Sequence, residues 1–148
     1  MISKKTKYAI HALVYLARHK SEGPKLISEI AESQHIPKKF LEAILLDMRN
    51  AGLLNSRKGR GGGYYLIKKP EDVNLAEIVR MFEGAIALLP CVTHRYYERC
   101  IECIDEDTCG IRDVFLHIRQ ETVNILKNST LQEVLDKEVL LEKSKEIS

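Results

Sequence analysis

Residues 36–67, IPKKFLEAILLDMRNAGLLNSRKGRGGGYYLI, decide the fold. Pro37 suits the first position of a helix, where its missing N–H leaves no hydrogen bond unmade. Leu41, Ile44, Leu45 and Met48 then recur at three- and four-residue intervals, an apolar stripe that ends at Gly52. The same helix turns Lys38, Lys39, Glu42, Ala43 and Arg49 to solvent. Beyond it, Leu53–Arg57 and Tyr64–Ile67 bracket Lys58-Gly59-Arg60-Gly61-Gly62-Gly63, so the spacing predicts two strands joined by a basic, glycine-rich turn.

Two more helices precede this stretch. Ala9, Ala12, Leu13 and Leu16 lie on one helical face, Glu22-Gly23-Pro24 breaks the pattern, and Ile27, Ile30 and Ala31 mark a short second helix joined to the third by Gln34 and His35. Three helices followed by a hairpin make a winged helix-turn-helix, which sets its third helix in the major groove of DNA and its hairpin tip beside the minor groove. Lys38, Lys39 and Arg49 are then placed to meet phosphates or guanine edges, and Glu42 to accept from a cytosine amino group. Arg57, Lys58 and Arg60 accompany them on the hairpin. Charge agrees: residues 1–70 hold 14 Lys/Arg against 5 Asp/Glu, and residues 71–148 hold 9 against 16. The glycine-rich turn is not a nucleotide loop, because it lacks the Gly-Lys-Ser/Thr ending and no helix follows it.

Downstream, Asn74-Leu75-Ala76-Glu77 reads as a capping box opening a helix that runs to about Phe82 and stops near Gly84. From Ile111 to about Lys127 the pattern is one long helix with Val114, Phe115, Ile118, Thr122, Ile125 and Leu126 on or near one side. It has few partners in its own chain, so the reading is a homodimer paired through it. Thr130-Leu131-Gln132-Glu133 predicts a short last helix, with a frayed charged tail from about Glu142. The fold class is mainly α with a small β-hairpin: a winged helix-turn-helix at 1–84, a sensor loop at 85–110, and a dimerisation helix with its tail at 111–148.

All four cysteines, Cys91, Cys100, Cys103 and Cys109, fall in that loop, within the nineteen residues 91–109. A ligand set must converge on a point, so this clustering reads as a metal or redox site. Three readings stay open. Soft thiolates suit an iron-sulfur cluster, 2Fe-2S or 4Fe-4S. Cys100-Ile101-Glu102-Cys103 also has zinc-compatible spacing, and the thiols can act without metal as a disulfide switch. His94 is a weaker candidate ligand, while His11, His19, His35 and His117 read as surface or packing residues. No nucleophile–base constellation stands out, so the chain does not read as an enzyme; the enzymatic alternative is a redox protein with a cluster or reactive dithiol. The basic start and apolar stretch of MISKKTKYAIHALVYLARHK imitate a secretory signal, but His11 interrupts the stretch and the helical face continues through it. No apolar run approaches the ~18 residues that span a bilayer, so the expectation is a cytoplasmic protein with reduced thiols and no membrane partner.

The chain resembles the Rrf-type winged-helix transcriptional regulators of bacteria (IscR/NsrR/CymR-like). The resemblance is carried by Lys7-Tyr8-Ala9, Ile36-Pro37-Lys38-Lys39-Phe40-Leu41-Glu42, Asn50-Ala51-Gly52-Leu53-Leu54, Arg60-Gly61-Gly62-Gly63-Tyr64 and Asn128-Ser129-Thr130-Leu131. It implies a repressor or activator that binds a double-stranded operator of two half-sites as a homodimer and senses redox state, nitric oxide or iron-sulfur status. In many members a cluster sits in the loop before the dimer helix, held by three cysteines with five residues between successive ones. Here only Cys103 and Cys109 keep that interval. The family's further ligand, a histidine after the last cysteine or an acid before the first-helix tyrosine, falls at Arg112 and Lys7, and neither cation can serve. Cys100 is the candidate to complete the set.

Overall fold

Ser3 starts the first helix, α1 (Lys4–Arg18), by accepting the Thr6 N–H on its hydroxyl at 3.2 Å, as an N-cap serine does. The computed structural model describes all of residues 1–148. From Ala12 to Ala17 every residue of α1 is buried, which makes it the central helix. In α2 (Ile27–Gln34) the Glu29 carboxylate takes the Leu26 N–H at 2.7 Å. His35, at φ 53°, turns the chain into α3 (Lys38–Asn50). Pro37 lies one place earlier than the sequence reading had it. It caps α3 from extended backbone (φ −57°, ψ 127°), and its carbonyl accepts the Leu41 N–H at 3.0 Å. At the other end of α3 the Leu53 N–H returns to the Met48 carbonyl and the Gly52 N–H to the Arg49 carbonyl, both at 3.0 Å, around the left-handed Gly52.

The hairpin comprises β1 (Leu54–Arg57) and β2 (Gly63–Leu66), paired from Leu54 opposite Leu66 to Arg57 opposite Gly63. Each strand is about a residue off its expected bounds. Lys25 adds a third edge, exchanging 2.8 Å hydrogen bonds in both directions with Tyr64. In α4 (Leu75–Glu83) only half of the capping box forms: Asn74 accepts the Glu77 N–H at 3.0 Å, while the Glu77 carboxylate faces Lys68 at 3.7 Å. A loop with short 3-10 turns at Pro90–Val92 and Glu106–Thr108 leads to α5 (Gly110–Asn128).

The last helix, α6 (Leu131–Ile147), is longer than expected and takes in the charged tail. Thr130 caps it by accepting the Glu133 N–H at 3.1 Å, and pairs four residues apart, Lys137 with Glu133 at 3.2 Å and Gln132 with Asp136 at 2.9 Å, support its first turns. Its start is fastened back to the segment that opens α4: Leu131 N–H to the Val73 carbonyl and Leu75 N–H to the Ser129 carbonyl, each at 2.9 Å. Leu131 is fully buried in one core with Leu13, Ile30, Leu41, Ile44, Leu45, Met48, Leu53 and Leu54. No helix is long and apolar enough to cross a membrane.

One polar side chain is fully buried. Thr6 donates to the Glu83 carboxylate at the end of α4, which also accepts the Ser3 N–H at 2.7 Å. The start of α1 is thereby tied to the end of α4, and the Thr6 hydroxyl, with the Ser3 N–H, holds the Glu83 carboxyl below the usual glutamate range. A depressed carboxyl contributes stability above its unfolded value of about 4.3 and loses it as pH falls through the lower folded value. Thr6→Val is therefore expected to destabilise the protein by about 1–2 kcal/mol at pH 7 in urea unfolding. The gap should narrow as acid protonates Glu83; an equal gap on both sides of pH 4 would contradict the assignment.

Candidate nucleic-acid interface and thiol loop

All seven residues assigned to DNA contact are exposed: Lys38, Lys39, Glu42 and Arg49 on α3, and Arg57, Lys58 and Arg60 on the hairpin. None of the six cations has a carboxylate partner, although Lys5, Arg18, Lys25, Lys68 and Lys137 each do. Their positive field is left for an external anion. The α3 N-terminus adds to it, since no side chain caps it, its first turn contains no acid, and its free N–H groups lie beside Lys38 and Lys39.

Two aromatic residues beside these cations were not legible as such. Phe40 follows Lys39 and is 56% exposed, edge-on to Tyr8 with centroids 6.3 Å apart. The Arg57 guanidinium lies 5.7 Å over the Tyr65 ring. The only sequence signal was that Phe40 falls outside the Leu41/Ile44/Leu45/Met48 stripe.

The hairpin tip has its shape because two of its glycines have no room for a side chain. A Cβ on Gly62 would lie 2.2 Å from the Arg57 carbonyl oxygen, and one on Gly63 would lie 2.3 Å from that of Lys25. Gly63 also has φ 134°, a conformation that L residues rarely adopt.

The four thiols are free and differ in setting. Cys91 is buried in the turn packed near α5, and Cys109 caps α5, its sulfur accepting the Arg112 N–H at 3.4 Å. Cys100 is exposed and donates to Glu102 at 3.0 Å, an interaction that pushes its thiol pKa up. Cys103 is half-buried, and its N–H reaches the Cys100 carbonyl at 3.2 Å. Cys91 and Cys100 line one hollow of about 250 Å³. The structure does not gather three or more Cys, His, Asp or Glu side chains into a metal-holding group. His94 lies in a different hollow, among arginines. The donor chemistry suits a thiophilic metal: four free sulfurs on one loop, of which Cys91 and Cys100 border the same space. Arg112, at a family ligand position, is half-buried with its Nε unpartnered.

Residues 2–137 match the family model Rrf2, described as an iron-dependent transcriptional regulator. The chain belongs to the Rrf2 family. An Rrf2-like HTH-type transcriptional regulator of Rhodobacter capsulatus is 44% identical over 91% of this chain and 92% of its own. Among solved structures, CymR, the global cysteine regulator of B. subtilis, superposes with a TM-score of 0.78 at 27% identity, covering 93% of this chain and 97% of that one. The T. potens IscR structure gives 0.74 at 26% identity over 93% and 88%. The Rrf2 chain is thus a winged-helix transcriptional regulator of a DNA-binding family, mainly helical with one two-stranded hairpin.

The Rrf2 wing gives a local test. Gly61→Ala meets open space and only backbone strain, about 1 kcal/mol, whereas Gly63→Ala meets strain and the Lys25 backbone together. Denaturant midpoints should show Gly63→Ala as clearly the more damaging of the two; equal effects would mean that the Lys25–Tyr64 contact does not set the wing.

Proposed function

We propose that this chain is a homodimeric repressor or activator that grips a two-half-site operator with α3 and the hairpin and releases or tightens it according to the state of a cluster held by Cys91, Cys100, Cys103 and Cys109. The observation that carries the DNA reading is the set of six cations without internal carboxylate partners, spread over one helix and one hairpin. Lys38, Lys39 and Glu42 are assigned to the major groove and Arg57, Lys58 and Arg60 to the flanking backbone or minor groove, with Arg49 on phosphate.

Support for the dimer comes from α5. Ile111, Val114, Ile118 and Ile125 lie along one side of it, 67%, 55%, 38% and 62% exposed, and only Val123 of the helix is buried. An apolar stripe of this kind favours a second copy by removing that area from water. Two heads paired through α5 would present two α3 helices to successive major grooves.

The four thiolates would hold the iron-sulfur cluster, which supplies reactivity toward oxygen, nitric oxide or iron loss. Each cysteine must give up its proton first, Cys100 by releasing Glu102. Drawing exposed Cys100 toward buried Cys91 would shorten the path between α4 and α5. Through Glu83 and Thr6 the end of α4 is fixed to α1, so a change in the loop would reach the reading head as a rigid displacement. The likeness to CymR, a global cysteine regulator, and the family's description as iron-dependent support sulfur or iron status as the class of signal.

Arg60→Ala is expected to weaken operator binding and to lower the salt slope by roughly one unit, at about 0.9 log units per phosphate contact, with the melting temperature unchanged. Unaltered affinity in gel shifts would remove the wing from the interface. Cys103→Ala, purified without oxygen, should lose bound iron and sulfide together with visible absorption. A fully coloured mutant would contradict the ligand assignment, and zinc in the wild-type protein would replace the cluster by a structural metal.

A further inference from the structure

The loop between α4 and α5 also closes a second hollow, one that DNA contact and the thiols leave unused. It measures about 250 Å³ and lies where the end of α4, residues 84–86 and 93–96, and α5 meet. Arg80, Arg95 and Arg119 line it, together with Thr93, His94 and Tyr96, and no Asp or Glu does. None of the three guanidiniums is ion-paired, and the arginine side chains that do form hydrogen bonds are Arg18 and Arg99.

This is the acidic half of the chain, with 16 Asp/Glu against 9 Lys/Arg over residues 71–148, so an arginine there has many carboxylates to choose from. Three of those nine bases instead converge where there is none. The carbonyl end of α4 accounts for Arg80, which lies in its last turn. It does not account for Arg119, midway along α5 on the inward side with Val123, nor for Arg95 on the loop. Three like charges around one small space repel one another until a counter-anion enters, and guanidinium forks match carboxylate and phosphate oxygens in pairs. The volume, just below the range of drug-sized pockets, suits an occupant of a few carbons.

We propose that this hollow is a binding site for a small dianion, a short dicarboxylate or a phosphomonoester, clamped by Arg80, Arg95 and Arg119. Bound there, the anion bridges the end of α4 to α5 and fixes the reading head against the dimer helix, giving the regulator a metabolite input separate from its thiols. The binding stands by itself; the effect on DNA rests on the operator-binding reading.

Calorimetry on the full chain at constant ionic strength tests it, with succinate and glycerol 3-phosphate as probes and acetate as the monoanion control. At least one dianion should saturate the site and bind about tenfold or more tighter than acetate. Arg95→Gln, on an exposed loop where folding is not at stake, and Arg119→Gln should each weaken that binding by about tenfold, while Lys143→Gln on α6 should not change it. The probe that saturates identifies the ligand class. No saturable heat from either dianion up to about 10 mM, or equal binding by the wild type and both arginine variants, overturns the proposal. Gel shifts with and without the saturating probe then separate the two claims. Binding with no change in DNA affinity overturns the clamp but leaves the operator reading intact. Absence of DNA binding overturns the operator reading while calorimetry still decides the hollow.

Discussion

The burial of one side of α3 is the constraint on which the rest of the structure depends. Leu41, Ile44, Leu45 and Met48 are all fully buried in the core, against α1 and α2, and their helical spacing leaves no rotational freedom. Lys38, Lys39, Glu42 and Arg49 face water because the stripe faces inward. The helix cannot turn its cations toward an internal carboxylate without exposing four large apolar side chains, each worth about 2 kcal/mol of burial. The same core holds Leu53, Leu54 and Leu66, so the hairpin is rooted beside α3.

A second constraint joins this head to the rest of the chain. Thr6, Ser3 and Glu83 fasten α1 to α4, and Leu131 returns the chain to the core after α5. Between these anchors lie the thiol loop, the arginine-lined hollow and the exposed stripe of α5. Anything that contracts the loop or bridges α4 to α5 therefore acts on a short lever between the head and the proposed subunit junction. The two proposed inputs differ in chemistry, soft thiolate ligands for a metal on the loop and guanidinium hydrogen-bond donors for an anion in the hollow, so they are addressed by different ligands.

Much of this was legible in the sequence because the fold is built from local signals. The stripe of α3, the Schellman ending at Gly52, the Asn74 and Thr130 caps and the glycine-rich turn each depend on residues within one or two helical turns. Long-range features were not legible. Nothing local announces that Lys25 pairs with Tyr64, that Leu131 sits in the first core, or that Glu83 meets Thr6. The tail from about Glu142 read as frayed because it is charged, yet α6 continues through it to Ile147. At the candidate site, the exposure of the seven residues assigned to DNA followed from the period of α3 and the turn composition. The thiols could be counted but not placed: buried Cys91, exposed Cys100 and the separation of His94 depend on how the loop folds back on α5. The arginine hollow was invisible because Arg80, Arg95 and Arg119 are far apart in sequence.

The most direct test of the central claim, that α3 and the hairpin form the DNA-gripping face, is lysine acetylation footprinting with a duplex selected from a random library. The account predicts strong protection of Lys38, Lys39 and Lys58, with Lys137, Lys143 and Lys145 on α6 modified as in the free protein. Protection centred on α6, or failure to select any duplex, would contradict it.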